Sequence, residues 1–467
     1  MSKRSLDWIV LFLLMISPLP LLLTTVGQGT EVKAQGLAAG DDNHDSFTPK
    51  VMSSPVVYDS ELKIQQVFHG ISFATQMDFL GPDDIVVLQK NDGKVLRIKN
   101  CELLPEPILD LPVANLVERG LLGVALYNNT QDGKEYAFIY FTHAAKDEDG
   151  DDASKGYAPL GNRLYRFELV DGKLENAKPL FFASAQRGAS HNSGIVLMGP
   201  DNNVYFAVGD IASHRTRAQN YENGSAADGT SAIIRINQNG ESAGQILGRE
   251  EPINKYYAYG IRNSYGLDFD PITGILWDTE NGPDHSDEIN LVEPGFNSGW
   301  RKIIGFPNST TNFDQDQDLV TCLYCSKITG FFDRLINKYF YGVQDGKYSD
   351  PEFVSNIPIG ITAIKFFNSD KLGPMYGNDV FVADYVLGNI MHFELNENRD
   401  AFILDGKLAD KMANDWQELS SVTFAQGFRS ITDLEVGPDG YLYVLGYGPD
   451  SSIYRIVPKG APEPCTG

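Results

Sequence analysis

The sequence predicts an all-β fold, a six-bladed β-propeller of four-stranded antiparallel blades. The main observation is a unit that recurs six times between residues 61 and 458. Each unit has a turn, often Gly-Pro-Asp, then a short alternating strand, a second turn and a second strand. A second observation is that few segments show the 3.6-residue period of helices, which argues against α/β barrels and doubly wound sheets.

The six units are predicted β-hairpins. The clearest three are GPDDIVVLQKNDGKVLRI from Gly81, GPDNNVYFAVGD from Gly199 with SAIIRINQNG following, and GPDGYLYVLGYGPDSSIYRI from Gly437. The less regular three are KEYAFIYFTHAA from Lys134 with NRLYRFEL following, YGLDFDPITGILWDTENG from Tyr265, and GNDVFVADYVLGNIMHFEL from Gly377. A lone hairpin exposes one edge and one apolar face, and repetition around an axis covers both.

The chain divides into four predicted segments. Residues 1–34 contain Lys3 and Arg4, an apolar run from Trp8 to Val26 and a polar end, which is the order typical of an export signal. The apolar run is also long enough for a membrane anchor, since about 20 apolar residues span a bilayer. Residues 35–60 are a predicted linker, 61–458 the propeller and 459–467 a C-terminal tail. We therefore expect an exported protein, extracellular, periplasmic or on the cell surface.

The charge of the chain excludes one class of partner. The net charge is −24, which repels phosphate backbones and argues against nucleic-acid binding. Two acidic runs, Asp147–Asp152 and Asp314–Asp318, resemble clusters that bind calcium but do not complete the EF-hand pattern. We interpret both runs as solvated loops.

The four cysteines are too few for a disulfide scaffold. Export permits oxidised pairs among Cys101, Cys322, Cys325 and Cys465, but the sequence leaves their pairing open. The spacing of Cys322 and Cys325 is half of a zinc motif without a second half. It therefore indicates a loop disulfide or two free thiols.

Four segments place polar or glycine-rich residues at predicted strand ends, where a central mouth would lie. They are Glu118–Gly123, Ser190–Gly194, Tyr259–Gly266 and Glu280–Asn290. Among their side chains are the imidazole of His191 and the fixed cation of Arg262, and Glu280–Asn290 also has a turn whose carbonyls suit a hard cation.

In these residues the chain resembles the soluble glucose/sorbosone dehydrogenase family, whose members depend on pyrroloquinoline quinone (PQQ). The resemblance lies in ENGPDHSDEINLVEPGFNSGW from Glu280, YGIRNSYGLDFDP from Tyr259 and ERGLLGVAL from Glu118, and it covers roughly residues 61–458. It implies oxidation of an aldose to its lactone, with PQQ and Ca²⁺ as cofactors and an external electron acceptor as partner.

The resemblance also implies roles for individual residues. His191 matches the general base that takes the proton of the anomeric hydroxyl, and Asp210 resembles an acid close to that base. An imidazole suits this step because its ordinary pKa lies near neutrality. Without the resemblance, His191 would be read as a core histidine and Asp210 as a turn cap.

The cofactor ligands follow in the same way. Arg262 and Asn263 match residues that contact the quinone, and the carbonyls of Gly282 and Pro283 match the turn that binds calcium. Glu118 stands where several members have a glutamine near the cofactor. Asp287 and Glu288 are expected to support the calcium turn.

The chain departs from the family pattern in the last two predicted blades. Relatives have a lysine and arginines there that neutralise the cofactor's carboxylates, whereas this chain has Ala383–Leu387 and Ser430–Asp433. Only Arg429 is nearby, and we expect it to bind the cofactor together with Arg262.

Two other functions remain open from the sequence. The missing cations favour a non-catalytic extracellular propeller that binds carbohydrate or protein. A calcium-dependent lactonase could recruit Glu118, Asn263 and Asp287, but no specific pattern supports it.

Overall fold

The structure is a computed structural model that describes residues 54–221, 223–306, 343 and 346–465. The predicted export signal, the acidic run Asp314–Asp318 and the pair Cys322 and Cys325 lie outside the described residues. In the described part of the chain, no helix is long and apolar enough to cross a bilayer.

Nearly all regular structure in the described residues is β-strand, arranged in six separate sheets. Two strands, β1 (Val56–Val57) and β2 (Leu62–Ile71), come before the first sheet in the chain. The first sheet contains β3 (Ala74–Gly81), β4 (Asp84–Gln89), β5 (Lys94–Lys99), β6 (Glu102–Leu103) and β7 (Leu109–Asp110). The second sheet contains β8 (Leu121–Asn129), β9 (Lys134–His143), β10 (Gly161–Val170) and β11 (Lys173–Ala183).

The third and fourth sheets interleave along the chain. The third contains β12 (Val196–Met198), β13 (Val204–Val208), β14 (Ala232–Ile236), β15 (Tyr256–Tyr259), β19 (Phe296–Asn297) and β20 (Lys347–Tyr348). The fourth contains β16 (Ser264–Phe269), β17 (Leu276–Glu280), β18 (Asp287–Val292), β21 (Phe353–Ser355) and β25 (Met412–Ala413).

The last two sheets take in the strands from the start of the chain. The fifth contains β22 (Ile361–Phe366), β23 (Val380–Asp384), β24 (Ile390–Phe393) and β26 (Thr423–Gln426), with β1 at its edge. The sixth contains β27 (Ser430–Val436), β28 (Leu442–Tyr447) and β29 (Ser451–Pro458), with β2 at its edge. The described helices are short: α1 (Trp416–Ser420) and the 3-10 turns Arg217–Gln219, Ile253–Lys255 and Gly406–Asp410.

The sheets follow one another in a closed ring. Their innermost strands, β3, β8, β12, β16, β22 and β27, each contact the next in this order, and β27 contacts β3 again. The ring is closed by β2, which pairs antiparallel with β29 from Leu62 opposite Pro458 to Ile71 opposite Ser451. The fold is therefore an all-β propeller, as the sequence predicts.

Each predicted hairpin forms, and each lies in a different sheet. The pairs are β4 with β5, β9 with β10, β13 with β14, β16 with β17, β23 with β24, and β28 with β29. Turn chemistry and strand alternation were therefore sufficient to locate the repeat.

Strand β4 shows how the core is built between neighbouring sheets. Val86 and Leu88 pack toward the second sheet, in a cluster with Ile139. Ile85 and Val87 pack toward the sixth sheet, in a cluster with Tyr443. Successive side chains of a strand point to opposite faces, so a strand between two other sheets is apolar on both.

Two details of the predicted architecture are wrong. The second and sixth sheets have four antiparallel strands, but other sheets are larger and contain parallel pairs, β15 with β19, β19 with β20 and β21 with β25. The predicted linker also ends too late, because Val56 and Val57 pair with Gln426 and Ala425 of β26. In both cases a strand from outside the predicted hairpins covers a sheet edge that a four-stranded blade would leave open.

The C-terminal tail is tied to the propeller. A disulfide joins Cys101 to Cys465, with 5.9 Å between their Cα atoms, a pairing that the sequence left open. The carbonyl of Pro462 accepts hydrogen bonds from Gln65 at 3.0 Å and Arg455 at 2.8 Å. The tail therefore links the last sheet to the turn that follows β5.

Candidate active site

A cavity of about 350 Å³ lies among the ends of the inner strands. Its lining residues come from all parts of the propeller: Thr75, Lys90, Val117, Glu118, Leu122, His191, Arg262, Asn263, Tyr265, Asn281, Gly360, Thr362, Tyr385, Thr432 and Tyr447. Its size lies in the range of pockets that bind small molecules. Four of the predicted site residues, Glu118, His191, Arg262 and Asn263, line it.

His191 and Asp210 form a tight pair at this cavity. Nδ1 of His191 lies 2.6 Å from Oδ1 of Asp210, and the histidine side chain is 15% exposed. His191 has a left-handed backbone with φ of 60°, and its N–H donates to Oε2 of Glu118 at 2.6 Å. Because Nδ1 is held by the carboxylate, Nε2 is the ring nitrogen left for a ligand.

The carboxylate of Asp210 is fully buried and receives several hydrogen bonds. Oδ2 accepts from Nε1 of Trp300 at 2.7 Å and from Gln219 at 3.2 Å, while Oδ1 also accepts from the N–H of Ser213 at 3.0 Å. Burial by itself raises the pKa of Asp210. The hydrogen bond and charge of His191, with smaller effects of Ser213 and Arg262, outweigh burial and hold this pKa below its usual value. Asp210 is therefore an anion that orients the imidazole.

Glu118 accepts hydrogen bonds from residues on three sides of the cavity. Its Oε2 accepts from the N–H of His191, from Nδ2 of Asn263 at 3.2 Å and from the hydroxyl of Tyr265 at 3.2 Å. Oδ1 of Asn263 in turn accepts from Ser193 at 3.1 Å. Glu118, which stands where several members have a glutamine, therefore fixes the positions of its neighbours through one acceptor oxygen. A glutamine side chain also has such an oxygen.

Arg262 is a mostly buried cation at the cavity wall. One of its terminal nitrogens donates to the carbonyl of Asn281 at 2.7 Å, and its guanidinium lies 5.5 Å from the ring centroid of Trp300. Burial lowers its pKa, against the attraction of Asp210 and Glu280. Its Nε is buried without a hydrogen-bond partner, which is costly for a charged group. As a cation that lines the cavity, Arg262 suits an anionic or carbonyl ligand.

The predicted calcium turn lies beside the cavity rather than in its lining. Asn281 lines the cavity, and Gly282 and Pro283 follow it, half-buried. Asp287 supports this turn, because its carboxylate accepts from the N–H groups of Gly282 at 2.9 Å and Gly360 at 2.7 Å. Burial raises the pKa of Asp287 to about 6.

Glu288 has a different role from the one predicted. Its carboxylate accepts from Ser298, Asn290 and the N–H of Gly305, not from the turn. Ser298 also donates to Glu280, so the two glutamates are close. Burial raises the pKa of Glu288 to about 8 and that of neighbouring Asp278 to about 7. This buried acidic group lies behind Arg262, whose N–H donates to Glu280 at 2.5 Å.

The structure does not bring Arg429 into the cavity. Its side chain is exposed, its backbone has φ of 71°, and it is absent from the lining residues. Asp384, in the stretch where relatives have a cation, accepts from the N–H groups of Leu387 and Gly388 of its own loop. Burial raises the pKa of Asp384 to about 7. The fifth and sixth sheets therefore give the cavity Thr362, Tyr385, Thr432 and Tyr447, which are all uncharged.

Sequence reasoning missed three residues of this site. Trp300 holds Asp210, Tyr265 holds Glu118, and Lys90 supplies a second cation to the cavity wall. Trp300 and Tyr265 lie within the segments that carry the resemblance, but the resemblance implied no role for either residue. Lys90 directly follows β4, and only the curvature of the ring brings it to the centre.

The cavity suits PQQ, a planar anion with several carboxylates, in three respects. Its volume is adequate, Arg262 places a positive charge in its wall, and Lys90 adds a second positive charge. For calcium the residues on hand are the carbonyls of Gly282 and Pro283. Among the described residues there is no cluster of three His, Cys, Asp or Glu side chains able to hold a metal.

Comparison with protein families gives a match over more than half of the chain. Residues 72–319 match the family described as glucose/sorbosone dehydrogenase. The quinoprotein glucose dehydrogenase B of Acinetobacter calcoaceticus is 27% identical over 251 residues, covering 49% of this chain and 50% of that protein. The aldose sugar dehydrogenase YliI of Escherichia coli is 22% identical over 392 residues, covering 81% of this chain and 90% of that protein.

A solved structure supports the fold. The PQQ-bound form of an aldose sugar dehydrogenase from Streptomyces coelicolor superimposes with a TM-score of 0.57 at 19% identity. The match covers 88% of this chain and 99% of the other. At this identity the likeness shows that the two chains share a fold.

Proposed function

Because this chain belongs to the glucose/sorbosone dehydrogenase family, we propose that it is an exported, PQQ- and calcium-dependent aldose dehydrogenase. It oxidises the anomeric hydroxyl of an aldose to a lactone and passes two electrons to an external acceptor. We further propose that the six sheets are the blades of a six-bladed ring and that residues 1–34 direct export or anchor the protein.

The observation that carries this proposal is the pair His191 and Asp210 at a cavity that is also lined by the cationic side chain of Arg262. A base fixed at one nitrogen leaves the other aimed at a ligand, and a cation beside it suits an electron-accepting anion. A core histidine would satisfy its ring without lining a cavity.

In the proposed reaction, Nε2 of His191 accepts the proton of the anomeric hydroxyl. Asp210 stabilises the imidazolium that forms, because its carboxylate is held ionised and accepts a short hydrogen bond from the N–H at Nδ1 of His191. Glu118 keeps the ring in place through the N–H of His191. When bound, PQQ with Ca²⁺ supplies the acceptor for the hydride that leaves the anomeric carbon.

The residues that would hold the cofactor are Arg262 and Asn263 at the wall, and the carbonyls of Gly282 and Pro283 for calcium. Asp287 positions the calcium turn by accepting from the N–H of Gly282. Tyr385 and Tyr447, whose rings lie 5.6 Å apart, bound the cavity on the side of the fifth and sixth sheets.

A second candidate function is a binding propeller without catalysis. It is favoured by one observation, the uncharged wall that the fifth and sixth sheets give to the cavity. Under this hypothesis the cavity binds a neutral carbohydrate and does not take up a quinone.

The test is a titration of the protein, without residues 1–34, with PQQ at fixed Ca²⁺, followed by dye-coupled oxidation of aldoses. We expect saturable binding in wild type and in His191→Ala, with turnover reduced at least about 10³-fold in the variant. His392→Gln is the matched control, because His392 also pairs with an aspartate, Asp379, and is not among the residues that line the cavity. Saturable sugar binding without quinone binding would support the second candidate.

A further inference from the structure

The cavity wall contains a second buried cation, Lys90, that the resemblance did not assign. We propose that Lys90 is a cofactor-binding residue whose ammonium pairs with a carboxylate of the bound quinone. This inference rests on the proposed function and adds a cation from the first sheet.

The backbone of Lys90 is fixed by hydrogen bonds to both neighbouring segments. Its N–H donates to the carbonyl of Phe73 at 3.0 Å, and its carbonyl accepts from the N–H of Leu121 at 2.9 Å. The residue lies directly after β4, at the end of the strand that faces the cavity. The start of its side chain is therefore held in position before any ligand binds.

Gly120 leaves room for the side chain of Lys90. A Cβ at position 120 would lie 2.6 Å from Cγ of Lys90, closer than real carbon atoms approach. The backbone of Gly120 has φ of 147°, a conformation that other residues rarely adopt. The glycine in the motif ERGLLGVAL is thus required where the lysine side chain passes.

The ammonium of Lys90 is bound by neutral acceptors. Nζ donates to Oδ1 of Asn91 at 2.9 Å and to the carbonyl of Asn115 at 3.2 Å. The residue is only 6% exposed, and none of the ion pairs found among the described residues includes it. Burial lowers the pKa of Lys90 to about 8, against the attraction of Glu118. A buried ammonium without a carboxylate contact gains most from an anionic ligand.

The number of cations in the cavity wall points the same way. Lys90 and Arg262 are the two lysine or arginine residues among those that line it. PQQ carries several carboxylates, and a protein of net charge −24 repels it unless local cations compensate. One arginine is a poor match for such a ligand, whereas two cations from different sheets also fix its orientation.

The experiment compares Lys90→Met, Lys90→Arg and the control Lys94→Met, a lysine of the same sheet outside the cavity lining. Each protein is titrated with PQQ at fixed Ca²⁺ and followed by quenching of tryptophan fluorescence, which needs no turnover. We expect Lys90→Met to raise Kd about 10- to 100-fold, the loss of one charge-assisted hydrogen bond. Lys90→Arg and Lys94→Met should stay within about threefold of wild type.

The trimethyl ester of PQQ isolates the charge. If the ammonium pairs with a carboxylate, Lys90→Met should cost little affinity for the ester. Thermal melting without ligand checks the fold, and Lys90→Gln replaces Lys90→Met in the same titrations if the methionine variant melts early.

Two outcomes separate this inference from the function it rests on. The role of Lys90 would be overturned if wild type binds PQQ and Lys90→Met has the same Kd, or if Lys90→Met loses equal affinity for PQQ and its ester. The proposed function would remain intact in either case. No binding of PQQ by wild type would overturn both.

Discussion

Two histidine–aspartate pairs in this propeller have similar geometry and different surroundings. His191 lies 2.6 Å from Asp210, and His392 lies 2.8 Å from Asp379, with side chains 15% and 18% exposed. His392 packs among aromatic rings, with ring centroids at 5.1 Å from Phe381 and 5.2 Å from Tyr376. His191 instead lines a cavity beside Arg262.

The difference shows that a short His–Asp contact does not by itself make a base. Asp379 bonds Nε2 of its histidine in the fifth sheet, whereas Asp210 bonds Nδ1 and receives further hydrogen bonds from Trp300 and Gln219. A carboxylate fixed by several donors cannot turn away when the imidazole changes charge, which is what a catalytic pair requires. The pair in the fifth sheet serves packing.

The largest effect is expected from breaking the proposed catalytic pair, His191 and Asp210. Asp210→Asn keeps the shape but removes the charge that orients and stabilises the imidazole, so kcat should fall about 10³- to 10⁴-fold. Dye-coupled aldose oxidation measures this. Asp379→Asn is the matched change in the other pair and should leave kcat within about twofold. Equal losses in the two variants would show that the assay reports folding and not the site.

A smaller effect is expected from the residue that holds Asp210. Trp300→Phe removes the indole donor to Oδ2 and leaves a buried carboxylate oxygen with one fewer hydrogen bond. We expect kcat to fall about 10-fold, the cost of about one buried hydrogen bond to a charged group, with KM nearly unchanged. An unchanged kcat with a raised KM would instead place Trp300 in substrate binding.

The hairpins and the proximity of His191 and Asp210 could be predicted from the sequence, whereas the positions of Lys90 inside the cavity and Arg429 outside it could not. Turn residues and strand alternation are local, so the units from Gly81 to Gly437 fold as expected. Arg429 and Lys90 show the limit. Arg429 is near the expected stretch in sequence but exposed, whereas Lys90 reaches the cavity because the ring brings the end of β4 to the axis. The disulfide, which spans 364 positions, is a further product of ring closure.

The smallest effect concerns the free energy of unfolding. It contrasts Asp210 with Asp278 and Glu288, the buried acids behind Arg262. Burial raises the pKa of Asp278 to about 7 and that of Glu288 to about 8. When the pKa of a carboxyl group is higher in the folded state than in the unfolded state, the group contributes stability at pH values below its unfolded-state pKa, near 4. This contribution is lost as the pH rises through the folded-state pKa. Asp210, whose pKa is lowered, contributes no change in this range.

The free energy of unfolding should therefore decrease by roughly 2 kcal/mol or more between pH 5 and pH 8, roughly the range bounded by these pKa values. Denaturant unfolding at a series of pH values measures it. Glu288→Gln, which cannot ionise, should show a flatter pH dependence than wild type. Glu293→Gln, at an exposed position directly after β18, is the control. A pH dependence unchanged in Glu288→Gln would contradict the assignment.

The central claim is that His191 is the base of a quinone-dependent sugar oxidation, and a single-turnover experiment tests it most directly. Protein loaded with PQQ and Ca²⁺ is mixed with excess aldose without oxygen or dye, and the absorbance of the quinone is followed. We predict full reduction of the bound quinone in wild type and in His392→Gln, and none on the same time scale in His191→Ala, which binds PQQ equally well. Reduction at the wild-type rate in His191→Ala would contradict the account.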